Sequence, residues 1–230
     1  MTREIVLDTE TTGLDPGSGD RIVEIGCVEL FNHVPTGNHY HTYINPDRDM
    51  PEAAYKVHGL SEQFLSDKPL FAAIREEFLA FLQDSTLVIH NAPFDLGFLN
   101  AELRAIGSPP LKNPVIDTVE LARQKHPGAR VGLDALCKHY GIDNSRRTLH
   151  GALLDSQILA EVYLELIGGR QVAMALGLSD STADPQVIEK RTYAPRKNPA
   201  PPLTSQQQAS HAQLLEGLGQ QPIWNRYSSS

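Results

Sequence analysis

The sequence predicts an α/β domain, a mixed five-stranded sheet flanked by helices, followed by a flexible C-terminal tail. Three observations lead to this. Strand-like runs joined by turn-rich segments come first, and strands alternating with helical stretches follow, an order that gives a mixed sheet covered by helices. Beyond about Gly177 the composition shifts to Pro, Ser, Gln and Ala. The 230 residues, 40% hydrophobic and 21% charged, suffice for one globular domain with such a tail.

The first strand is "EIVLDTET", where Ile5, Val6 and Leu7 read as a buried run. Asp8 and Glu10 interrupt it, and a spacing of two places both on one face of a strand. Carboxylates crowded on a core strand repel each other unless a cation lies between them, so a positive charge belongs there. The turn segment "GLDPGSGD" leads to a second strand, "RIVEIGCVEL", and "NHYHTYINP" is the third. Pro46 and Pro51 bound an irregular stretch after it.

"PLFAAIREEFLAFLQD" has Phe71, Ile74, Phe78, Leu79 and Leu82 at helical spacing. "TLVIHNA" is a short buried strand, and "FDLGFLNAELRAIG" a helix stopped at Gly107 ahead of Pro109 and Pro110. "PVIDTVELAR" is a last strand running into a helix. "GLDALCKHYGI" is a short helix, and "HGALLDSQILAEVYLELIGG" a long one ended by Gly168 and Gly169. Asp155 falls in the first turn of that helix, with His150 in the loop before it. The proline-interrupted stretch from 177 to 230 buries too little apolar surface to offset its ordering entropy and reads as a tail. Its lone Trp224 has two readings, a weakly collapsed, partly exposed residue or an anchor that docks on a partner protein, and the second is favoured.

Composition sets further bounds. A net charge of −8 argues against strong non-specific binding to duplex DNA, and the aromatic content of 7% against a base-stacking platform. Acids gathered to hold metal ions add to the same negative total. Cys27 and Cys137 lie in apolar surroundings and read as buried thiols in a reducing compartment. No run is long and apolar enough for a membrane span, and no secretory signal opens the chain, so a cytoplasmic protein is expected.

Near a helix N-terminus a single Asp such as Asp95 or Asp155 reads as a dipole partner or cap. Together with Asp8, Glu10 and His150 these acids form a pattern with few structural uses. "DTETTG" (8–13), "HNAPFD" (90–95) and the His150-x4-Asp155 pair resemble, in order and spacing, the three motifs of the DEDDh 3′→5′ exonucleases. The likeness covers roughly residues 3–168 and implies a ribonuclease-H-like fold, with an exonuclease domain at 1–176 and a partner-binding tail at 177–230.

The resemblance implies two divalent ions, Mg²⁺ or Mn²⁺, suited to four hard carboxylates. Asp8 bridges both ions, Glu10 and Asp155 complete one site, and Asp95 supports the other through water. His150 is the general base, since an imidazole with an ordinary pKa of about 6.5 can take a proton at neutral pH. For substrate, Asp8, Glu10 and Asp155 are joined by Thr11, Thr12, Gly13 and Leu14, with Gly13 letting the backbone come close. His58, in "KVHGLS", and Phe94 are further lining candidates, Phe94 equally as core packing.

Within the family the likeness is to proofreading subunits of bacterial replicative polymerases. That implies action on single-stranded or frayed DNA 3′ ends and attachment to a polymerase catalytic subunit through the tail, with Trp224 as anchor. It also implies sliding-clamp contact through Gln171, Met174 and Leu176. Two alternatives stand beside this reading: a free-standing exonuclease trimming RNA or DNA ends, and a non-catalytic polymerase or clamp adaptor.

Overall fold

Burial decides where the first strand goes. Ile5, Val6 and Leu7 expose no surface, which requires cover on both faces of the sheet. In the computed structural model, which describes residues 2–168, 204–207, 209, 210 and 213, β1 (Arg3–Thr11) is the middle of five strands. The order is β3-β2-β1-β4-β5, with β2 Ile22–Phe31, β3 Val34–Tyr43, β4 Thr86–Ile89 and β5 Val115–Asp117. β1–β2 and β2–β3 are antiparallel, while β1–β4 and β4–β5 are parallel. This is the expected mixed sheet. The third strand starts earlier than its sequence suggested, because Asn32 and His33 take positive φ (49° and 67°) and turn β2 directly into Val34.

Alternation along β1 sorts its side chains between two layers. Ile5 and Leu7 join a core with Phe71, Ile74, Phe78 and Leu82 of α3 (Phe71–Leu82) and Phe98, Leu99 and Leu103 of α4 (Ala92–Ala105). Val6 faces the other way, onto Val88, Leu159 and Tyr163. Leu159 and Tyr163 belong to α7 (Ala152–Leu166), which also packs on α5 (Thr118–Lys125) and α6 (Leu133–Tyr140) through Ile158, Val162 and Leu166. Cys27 and Cys137 are free and buried, as expected.

α7 lies unusually close to the sheet. A Cβ on Gly26 of β2 would stand 2.2 Å from Ala152 C and Leu153 N, so only glycine admits the helix there. Ser156 Oγ then donates to Gly26 O at 2.9 Å, which fixes the first turn of α7 against β2.

The stretch between Pro46 and Pro51 is irregular, as expected. After it come two helices that the sequence did not mark, α1 (Glu52–His58) and α2 (Glu62–Leu65), each with a single buried residue, His58 and Leu65. With no second buried position to set a period, neither helix leaves a pattern in the sequence. The chain divides into two units, residues 1–178 and 179–230. In the second, the N–H and Oγ1 of Thr204 both donate to Gln207 Oε1 (3.0 and 3.1 Å) ahead of helical residues 205–207. Gln171, Met174, Leu176 and Trp224, and most of the tail, lie outside the described residues.

Candidate active site

The site forms where β1 outruns its parallel neighbour. β1 pairs with β4 only from Glu4 to Leu7, so the N–H of Thr9 has no partner strand on that side. Asp95, in the first turn of α4, takes it: Oδ1 accepts from Thr9 N at 3.0 Å and from Thr9 Oγ1 at 2.7 Å. The turn that delivers Asp95 rests on Asn91 at φ 67°. Asp117 at the end of β5 accepts the N–H groups of Asn91 and Ala92 (3.2 and 3.1 Å) and holds that turn.

Asp8 and Glu10 continue the Val6 face of β1 towards α7, whose first turn carries Asp155. His150 lies just ahead, its backbone N–H donating to Val57 O of α1 at 3.1 Å. α1 therefore anchors the histidine loop. Ligand atoms of Glu10, His150 and Asp155 all come within 4.8 Å of one another.

All the residues predicted for catalysis and substrate contact within the described part line one cleft of about 1000 Å³: Asp8, Glu10, Thr11, Thr12, Gly13, Leu14, His58, Phe94, Asp95, His150 and Asp155. Leu14 is 84% exposed, a free apolar edge. Phe94 lines the cleft and also packs on Phe98, with ring centroids 5.0 Å apart. Thr11 Oγ1 donates to Gly13 O (2.6 Å) and Thr12 Oγ1 to Asp20 Oδ1 (3.3 Å), so both hydroxyls shape the loop itself. Gly13 has a reason inside the chain, since a Cβ there would meet Asp20 Oδ2 at 2.2 Å. His58 is buried, its Nδ1 accepting from Leu60 N at 3.0 Å while Nε2 has no partner among the described residues. Burial lowers its pKa, so the ring is held neutral.

The acids carry the electrostatic cost expected of them. Among the described residues, no hydrogen bond or ion pair reaches the carboxyl of Asp8 or Glu10. Burial, reinforced by Asp95, Glu10 and Asp155, pushes Asp8 well above the carboxylate range. Burial and then Asp155 push Glu10 from 4.5 to about 8. Asp95 rises from 3.8 to about 7, again through burial, with the Thr9 hydrogen bonds opposing. The folded, metal-free protein therefore keeps protons that the unfolded chain has already released. Stability from these groups is full below the ordinary carboxylate range and is lost as pH rises through 7 to 8. The urea midpoint of the metal-free protein is expected to fall between about pH 5 and pH 8, by up to ~1.4 kcal/mol per pH unit for each such proton. A divalent cation should reverse the fall; a midpoint that climbs with pH in its absence contradicts the clustering of ionisable acids.

Sequence reasoning missed Thr9, the seat of Asp95, and Arg147, whose guanidinium enters the cleft beside Asp155. The only signal for Arg147 was a basic pair, Arg146 and Arg147, in the loop leading to His150. The donor set is carboxylate oxygen with one imidazole, which fits hard divalent ions of the Mg²⁺ or Mn²⁺ kind.

A mixed sheet that gathers separate acids and a histidine at the ends of its parallel strands defines a class, and the chain belongs to it: the exonuclease family, whose model matches residues 5–163. Relatives then narrow the assignment. DNA polymerase III subunit epsilon of Rickettsia prowazekii (strain Madrid E) is 60% identical over 173 residues, covering 74% of this chain and 76% of that one. The same subunit of Escherichia coli (strain K12) is 48% identical over 194 residues, covering 81% and 79%. Among solved structures, exonuclease X in complex with 5′ overhanging duplex DNA superposes with a TM-score of 0.57 at 28% identity, over 71% of this chain and 90% of that one. The nuclease domain of 3′hExo, a DEDDh family member bound to rAMP, shares the fold with a TM-score of 0.64 at 17% identity, over 72% and 91%. The chain is a 3′→5′ proofreading exonuclease.

Proposed function

We propose that this chain removes mispaired 3′-terminal nucleotides from DNA as 5′-monophosphates, as the proofreading subunit of DNA polymerase III. One observation carries the chemistry: segments as far apart as β1, α4 and the start of α7 converge to put Asp8, Glu10, Asp95, His150 and Asp155 in one cleft. Asp8, Glu10, Asp95 and Asp155 would hold two divalent ions, Mg²⁺ or Mn²⁺, which when bound acidify the attacking water and stabilise the leaving 3′ oxygen.

The remaining work falls to the chain. His150 sits at the mouth of the cleft, its side chain 47% exposed, and takes the proton of the attacking water. The Thr9 hydrogen bonds hold Asp95, and the Gly26 contact holds the turn that carries Asp155. Leu14, Phe94 and His58 receive the terminal nucleotide: the leucine edge and the phenylalanine face offer apolar surface, and the neutral imidazole a donor at Nε2.

Affinity for DNA is supplied by attachment. The tail, 177–230, binds the polymerase catalytic subunit, with Trp224 as anchor, and Gln171, Met174 and Leu176 contact the sliding clamp. Tethering raises the local concentration of 3′ ends and suits a chain of net charge −8. No described helix is long and apolar enough to cross a membrane, and the buried free thiols suit work in the cytoplasm.

The test is release of 5′-mononucleotides from a 3′-mismatched primer, with EDTA and then Mg²⁺ or Mn²⁺ added. Release that persists in EDTA sinks the metal assignment. Co-purification with the polymerase catalytic subunit, comparing the full chain with one ending near Leu178, tests the tail; equal capture of both removes it.

A further inference from the structure

Two arginines line the cleft, Arg130 and Arg147, and Arg147 is the one bonded to its acids. Arg147 forks onto Asp155, with Nε 2.5 Å from Oδ1 and Nη2 2.7 Å from Oδ2. The same Nη2 lies 2.9 Å from His150 Nδ1, and Nη1 lies 2.9 Å from Asp134 Oδ1. The Arg147 and Asp155 side chains are 9% and 3% exposed, so the fork between them is sheltered from water, while the bonds to His150 and Asp134 lie at the surface.

A guanidinium has donors only. His150 Nδ1 must therefore accept, which puts the ring proton on Nε2 and spends the ring's one lone pair on Arg147. Both oxygens of Asp155 accept from the same guanidinium, one lone pair each. A carboxylate in a two-point fork cannot also ligate a cation from that side, and an imidazole whose lone pair is occupied cannot accept a proton from water. One guanidinium thus holds two of the groups on which hydrolysis depends.

We propose that Arg147 is the built-in counter-ion of the metal-free cleft: a divalent cation binds by displacing it from Asp155, and the displacement frees the His150 lone pair in the same movement. Arg147 is a positioning residue in this scheme. It holds Asp155 and the histidine loop in place before metal arrives, and it makes the base available only once metal is present. Asp134, 66% exposed on α6, holds the outer nitrogen of the guanidinium and helps keep Arg147 on Asp155 until a cation arrives. This rests on the metal assignment proposed above.

The experiment is Mn²⁺ binding by the full chain, measured by titration calorimetry at about pH 8.5, where protons compete less for the ligands. Arg147→Met is expected to bind Mn²⁺ about tenfold more tightly than the unaltered chain, ~1.4 kcal/mol, and to melt at a lower temperature without metal. Asp134→Asn removes only the exposed anchor and should tighten binding by about twofold. Loss of a merely structural pin would weaken metal binding, so unchanged or weaker binding in both variants overturns the proposal. Should Arg147→Met fail to fold, Asp134→Asn decides alone. Absence of Mn²⁺ binding by the unaltered chain is a different failure, that of the metal site itself, and the proposal falls with it.

Discussion

Asp8→Asn and Glu10→Gln are each expected to abolish excision of a 3′-terminal nucleotide while making the metal-free protein more stable. The two effects have one cause. Each carboxyl is buried among like charges with no hydrogen-bond partner among the described residues, and each is displaced upward in pKa. At pH 8 the unfolded chain has long since ionised Glu10, while the folded chain has paid to keep it protonated or to crowd a second anion beside Asp155. A neutral amide of the same shape avoids that choice. The gain for Glu10→Gln is on the order of a few kcal/mol, each worth about 2–4 °C in melting temperature for a domain of this size. Activity moves the other way, because the amide is a poor ligand for a hard cation. The loss should exceed the ~10²-fold seen when only an outer partner of a metal ligand is removed. A variant that keeps near-normal turnover on a mismatched primer takes its acid out of the metal site. A variant that loses activity and stability together points instead to a packing role.

His150→Gln should lower turnover by ~10²–10⁴, the range for a lost general base, with Mn²⁺ still bound. Glutamine can accept from Arg147 through its carbonyl oxygen, so the loop and Asp155 stay in place; what disappears is a site that can hold a proton. If turnover on a mismatched primer stays near normal, the proton goes elsewhere.

Much of this molecule was legible from the chain. β1 announced itself because a fully buried strand must be apolar, so the two acids within it stood out against Ile5, Val6 and Leu7. The His150-x4-Asp155 spacing placed the histidine ahead of a helix and the acid in its first turn, where the structure has them. The parts that stayed hidden are those whose meaning depends on where the chain folds back. α1 and α2 bury one residue each, so no periodicity marks them, yet α1 anchors the His150 loop through Val57 O. Thr9 looked like any strand threonine until β4 stopped at Ile89 and left its N–H for Asp95. Arg147 looked like surface charge. Its position on Asp155 appears only when the loop before α7 turns it inward.

The docking of α7 on Gly26 has a consequence for the chain's own biosynthesis. A ribosome delivers Asp8, Glu10 and Asp95 long before Asp155 and His150, and domains consolidate only as their last packing element emerges. Until α7 lands on β2, the nascent chain holds an incomplete set of acids and no base beside them. With the site as proposed, nuclease competence would therefore wait until α7 docks on Gly26 of β2.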